Sequence, residues 1–144
     1  MLLAIPAVIS FTLFKKEPDY RVVATLLGVL LSLFYFLQKQ RLEEMKLFRE
    51  IFEECNKKYD ALNKRLGLIV NGNNEQELTL EERQTLIDYF NLCGEEYLYY
   101  QQGYILPSVW DAWHKGMSWY FDNERISRLW QEEIKTESYY DFSL

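Results

Sequence analysis

From Val22 to Leu37 the chain reads V-V-A-T-L-L-G-V-L-L-S-L-F-Y-F-L, sixteen residues without a charge. With Tyr20 at one edge and Gln38 and Gln40 at the other, roughly 20 residues are tolerable in hydrocarbon, about the minimum for a helical membrane span. No turn residue follows. Instead Met45, Phe48, Phe52, Cys55, Tyr59, Leu62 and Leu66 recur in alternating steps of three and four, a heptad stripe widened by Ile51. Glu43, Glu44, Lys46, Arg49, Glu50, Lys57 and Lys58 take the other faces. The pattern predicts one helix from Tyr20 to Leu66, at 1.5 Å per residue about 70 Å long, with its front half in a bilayer and its back half in water. The stripe has two readings: a face that packs on its own bundle, which is the plainer one, or a seam between subunits.

Gly67 is expected to stop this helix, and Asn71-Gly72-Asn73-Asn74 with Glu75 to Glu77 reads as an acidic loop. Thr79-Leu80-Glu81-Glu82 is a capping box that opens a second helix, with Leu86, Phe90, Cys93, Tyr97 and Tyr100 on one face. Gly94 inside it would let another helix approach closely, and Gly103 closes it. Pro107 starts a third helix bearing Trp110, Trp113, Met117 and Tyr120 or Phe121. Asn123 caps a fourth with Ile126, Leu129, Trp130 and Ile134. The tail from Ser138 has Tyr139, Tyr140 and Phe142 but no period, and no β-branched run alternates long enough for a strand. The expected architecture is all-α: an apolar segment and linker over 1–19, a transmembrane helix over 20–40, a cytoplasmic four-helix bundle over 41–137 and a tail over 138–144.

The first fourteen residues, Met1 to Phe14, are apolar but too short to span, and Pro6 weakens them as a helix. They lack the basic start and cleavage site of a secretory signal. They read as a short first leg of a membrane hairpin, as an interfacial segment, or as an apolar end buried against the next helix. Pro18 and Asp19 suit the start of the long helix. Lys15, Lys16 and Arg21 flank the span on one side and Lys39, Arg41, Lys46 and Arg49 on the other. That slight excess places the large domain in the cytoplasm.

Charge changes the picture of partners. The net charge is −6, and it is uneven: residues 1–40 carry +2 and residues 41–144 carry −8. An acidic soluble part argues against gripping nucleic acid through phosphates. Cys55 and Cys93 lie on apolar helical positions without metal-ligand spacing, so they read as buried free thiols. No zinc or phosphate-loop motif is present, and no cofactor or metal is expected. With one histidine, His114, and no nucleophile elbow, no nucleophile–base–orienter set can be assembled.

Two constellations remain. Glu95 and Glu96 are paired carboxylates, but neighbours on a helix point about 100° apart, so only one can face a pocket. The plainer reading is a solvated helix face. Trp110, Trp113 and His114 stand at i, i+3 and i+4, the spacing of a ligand box or, more plainly, of a core with a histidine at its rim. Within the span, Gly28 and Ser32 form a small-xxx-small pair suited to close helix packing.

The stretches F-Y-F-L-Q-K-Q-R-L-E-E (Phe34–Glu44), L-F-R-E-I-F-E-E-C-N-K-K-Y-D-A-L-N (Leu47–Asn63) and F-N-L-C-G-E-E-Y-L-Y-Y-Q-Q-G-Y-I…W-D-A-W (Phe90–Trp113) together resemble a family of small, mostly uncharacterised bacterial proteins with an N-terminal membrane helix and a helical cytoplasmic domain. The resemblance covers about residues 25–135. In architecture the chain is also similar to the membrane accessory protein of RNA-targeting CRISPR systems, whose helical domain is related to the HEPN nucleases and which assembles into a membrane pore. These resemblances imply a protein of the bacterial inner membrane that forms homo-oligomers, acts with a partner in anti-phage defence and has no cofactor. HEPN nucleases place an arginine a few residues before a histidine. Leu106 to Trp113, ahead of His114, contain no arginine, so no catalytic residue carries over. The rivals are an anchored, degenerate HEPN-like nuclease using Glu96 or His114, and an adaptor that recruits a soluble partner.

Overall fold

The computed structural model describes residues 19–73 and 75–143; the apolar segment Met1 to Phe14 and Pro18 lie outside the described residues. Among those described there are four α-helices and no strand: α1 (Tyr20–Val70), α2 (Leu80–Gln101), α3 (Pro107–Phe121) and α4 (Glu124–Glu133), followed by a 3-10 turn, Ile134–Thr136. The chain divides into two units, with the boundary between Glu43 and Glu44, three residues beyond the edge the sequence suggested.

In the first unit the Asp19 carboxylate accepts from the Arg21 backbone N–H at 3.0 Å and so caps the start of α1. Every described residue from Tyr20 to Leu37 is exposed, including Leu26, Leu30, Leu31, Phe34 and Phe36. This part of α1 is long and apolar enough to cross a membrane, and none of its apolar window is buried within the chain. Gly28 and Ser32 are exposed on it, and a Cβ added at Gly28 would meet nothing.

The second unit is an all-helical bundle. Ile51, Cys55, Leu62, Leu66 and Ile69 of α1 pack into a core with Leu86, Phe90 and Cys93 of α2, Met117 and Phe121 of α3, and Ile126, Leu129 and Trp130 of α4. The heptad stripe therefore belongs to the chain's own interior. Cys55, Leu62 and Leu66 are buried, Phe52 stacks on Trp113, and Tyr59 meets Tyr120 edge-on. That is the plainer of the two readings of the stripe, a face that packs on its own bundle. Phe48, Phe52 and Tyr59 are half-buried at the core's edge, and Met45 is 68% exposed.

Local chemistry sets most of the boundaries. Thr79 Oγ1 accepts from the Glu82 N–H at 3.2 Å while Glu82 Oε2 accepts from the Thr79 N–H at 2.8 Å, the reciprocal box expected. Gly103, at φ +77°, closes α2 with bonds from Tyr104 N–H to the Tyr99 carbonyl and from Gly103 N–H to the Tyr100 carbonyl, a Schellman motif. Pro107 opens α3, and Asn123 caps α4 by accepting from the Arg125 and Ile126 N–H groups.

Two expectations give way to packing. The first helix does not stop at Gly67. Ile69, 2% exposed, carries it one more turn into the core, and the Asn71 side chain then bonds back to the Gly67 carbonyl at 2.7 Å. The tail, which shows no period in sequence, packs inward: Tyr139 and Phe142 are core residues. A Cβ at Gly94 would lie 3.3 Å from the Tyr139 carbonyl oxygen. The close approach that Gly94 permits is made by the tail backbone, not by another helix.

Candidate functional site

The second unit holds a cavity of about 210 Å³ where α1, α2 and α3 meet. α2 contributes Tyr89 and Glu96, α1 contributes Asn56 and Tyr59, and α3 contributes Ala112, Trp113, Gly116, Met117 and Tyr120. Helical phase explains the set. Glu96 lies seven residues after Tyr89 and three after Cys93, so it shares their buried face. On α3, Ala112 and Gly116 are four apart, small and exposed, which leaves the cavity's mouth unobstructed.

Polar groups around the cavity are tied together, with one exception. The Tyr59 and Tyr120 hydroxyls bond to each other at 3.0 Å, one donating to the other, and the hydroxyl that accepts donates in turn to Asn63 Oδ1, which lies 3.4 Å from both. Asn56 Nδ2 donates to the Phe52 carbonyl at 2.8 Å. Lys58 Nζ donates to Glu95 Oε2 at 2.7 Å and Oε1 at 2.9 Å, and pairs with Glu54 at 3.0 Å. Glu96 is 7% exposed and, among the described residues, no hydrogen bond or ion pair reaches its carboxylate. Its burial corrects the reading of both carboxylates as a solvated face: Glu95 takes the lysine at the rim and Glu96 turns inward.

Isolation has an electrostatic consequence. Burial pushes the Glu96 carboxyl up to about 8, helped by the Glu95 charge and opposed by Lys58. It is held as a neutral acid at neutral pH. Burial also pushes the Cys55 thiol up to about 12 and raises Cys93 and Tyr89 well above their ordinary values. The thiols cannot supply a thiolate nucleophile under these conditions.

Trp113 and Glu96 thus share one cavity. Trp110 and His114 do not line it: their rings meet each other at 5.6 Å, and Trp110 packs on Tyr97, Tyr100 and Phe142. Among the described residues no group of three His, Cys, Asp or Glu is placed to hold a metal ion. Tyr89, Tyr120 and Asn56 were not singled out as site residues; the phase of Glu96 relative to Tyr89 was the available signal.

A second cavity, of about 220 Å³, is lined by Arg83, Arg125 and Arg128 with Glu77 and Glu132. Each guanidinium already has a carboxylate: Arg83 with Glu132, Arg125 with Glu82 and Arg128 with Glu124, all at 3.1 Å. Arg125 is 5% exposed and also donates to the Ile69 carbonyl at 3.4 Å. Its Nε alone lacks an acceptor. The arrangement is a structural clamp joining the end of α1, the start of α2 and α4.

No protein-family model, curated protein or solved structure matches this chain.

Proposed function

We propose that this chain is a non-enzymatic, membrane-anchored protein of the bacterial inner membrane, whose cytoplasmic helical bundle is held at the bilayer by α1 and which self-associates through that helix. The observation that carries the reading is the sixteen-residue uncharged stretch of α1, whose apolar side chains have no cover among the described residues. So much contiguous apolar surface needs lipid or protein around it, and with Tyr20 at one edge and Gln38 at the other the run reaches about the minimum length for a span. Two features support self-association: Gly28 and Ser32 offer a small-residue face within the span, and the heptad stripe begins at the exposed Met45.

The resemblance to the CRISPR accessory protein extends this to a pore-like role in anti-phage defence with a defence-system partner. The nuclease rival rests on Glu96 or His114, and of the two Glu96 lines the cavity. Fractionation with an alkaline wash tests the anchor, the chain staying with the membranes. Size analysis in mild detergent tests assembly, a monomer at every concentration defeating it. Crosslinked pull-down from membranes separates a self-assembled protein from an adaptor, which must bring down a second protein.

A further inference from the structure

The cavity between α1, α2 and α3 combines two features that together define a ligand chemistry. Its walls carry four aromatic rings, those of Tyr59, Tyr89, Trp113 and Tyr120. Its one ionisable carboxylate, Glu96, is more than nine-tenths buried and has no partner among the described residues. A buried carboxyl with no hydrogen bond is costly unless something completes it. Aromatic rings attract a cation through their quadrupole, more strongly where water is excluded. The cavity is smaller than the roughly 300 Å³ at which pockets begin to take drug-sized ligands, so the occupant is small.

We propose that this cavity binds a small organic ammonium cation, with Glu96 as its counter-ion, the four rings as its cage and the gap at Ala112 and Gly116 as its entrance. The site stands apart from the membrane reading, since every residue in it belongs to the bundle. The cation enters only when Glu96 has lost its proton, so binding releases a proton where the apo carboxyl is still protonated. The titratable and charged neighbours are Cys55, Lys58 and Tyr59 of α1, Tyr89, Cys93 and Glu95 of α2, and Tyr120 of α3. Cys55, Cys93, Tyr89 and Tyr120 are all raised and stay neutral across the working range, while Lys58 stays charged. For Lys58 burial opposes the charge, but the bonds to Glu95 and Glu54 outweigh it.

Choline is the probe, because its charge does not change with pH. The full chain in maltoside detergent is titrated calorimetrically with choline and with its uncharged isostere, in which carbon replaces the quaternary nitrogen. Choline is expected to bind at least about tenfold more tightly than the isostere. Its affinity should rise toward about tenfold per pH unit below pH 8 and level off above it. Glu96→Gln should abolish binding. Gly116→Leu should abolish it by filling the entrance; a Cβ there meets nothing, and a helical glycine replaced by leucine does not endanger the fold. A free metabolite and a lipid headgroup carry the same ammonium, so a short-chain phosphatidylcholine is titrated in parallel. Binding of either supports the site and the tighter one names the source, while binding of neither overturns it. Equal affinity for choline and its isostere, or choline binding that survives Gly116→Leu, also overturns it. Should Glu96→Gln fail to fold, the isostere and the Gly116 variant still decide.

Discussion

Lys58 Nζ lies 2.7 Å from Glu95 Oε2, and the next residue, Glu96, is left buried without a counter-ion. One lysine is shared by Glu95 and Glu54, and the inward carboxyl answers by holding its proton. The pair of adjacent glutamates is thereby split into a rim salt bridge and an interior acid.

Stability should fall with pH on account of Glu96. Its folded pKa, about 8, is above its ordinary 4.5, so the folded chain binds the extra proton in between. The contribution is fully present below the unfolded value and is lost as pH rises through the folded one. Urea denaturation from about pH 5 to about pH 8 should show a decline of up to about 1.4 kcal/mol per pH unit. Glu96→Gln should flatten that decline; an unchanged slope in the variant would show the carboxyl to be ionised in the fold.

Arg125→Met should destabilise the bundle by about 1–3 kcal/mol, because the half-buried Glu82 carboxylate loses its ion pair and the Ile69 carbonyl loses its side-chain donor. The bonds from Thr79, and with them Arg125, hold Glu82 below the usual carboxylate range. That stability is present above pH 4.5 and is lost as pH falls through the lowered value. The variant should therefore lose part of the wild-type acid sensitivity, as measured by thermal unfolding down to about pH 3.

The tail should behave as core. Phe142 is 1% exposed and packs among Tyr97, Trp110, Phe121 and Trp130. Phe142→Ala is expected to cost about 3–5 kcal/mol. Gly94→Val, which pushes on the Tyr139 backbone, should cost about 1–3 kcal/mol and speed amide exchange in the last residues. A tail that can be trimmed after Thr136 with no change in unfolding midpoint would contradict both.

Cys55 and Cys93 should report unfolding. Both are buried with raised thiol pKa values, so a disulfide reagent should leave them untouched in native protein and modify them at the unfolding rate in denaturant. Rapid labelling of the native chain would show that the core opens at these positions.

The sequence made the helix boundaries legible where they are local. Thr79 with Glu82, Gly103, Pro107 and Asn123 each satisfy orphan backbone groups within a few residues, so their types announce the ends. The tail was opaque because its course depends on distant contacts: Glu137, Tyr140 and Asp141 all take positive φ, a conformation their residue types do not advertise. Gly67 misled because Ile69 repays another helical turn by burial. The stripe from Met45 to Leu66 was visible, but periodicity alone says only that a face is covered, and the covering here comes from Trp113, Tyr120 and the rest of the bundle. Glu96 was half legible: that one of two carboxylates turns inward follows from helical phase, whereas its lack of a counter-ion depends on where Lys58 falls.

The central claim is that the apolar part of α1 lives in lipid. Spin labels at Leu30 and at Glu53, both exposed, are to be compared in the full chain reconstituted in bilayers, the buried native thiols being left in place. Collision with dissolved oxygen should dominate at Leu30→Cys, and collision with a water-soluble nickel chelate should dominate at Glu53→Cys. Nickel access at Leu30 equal to that at Glu53, or shielding of Leu30 from both reagents, would contradict the account.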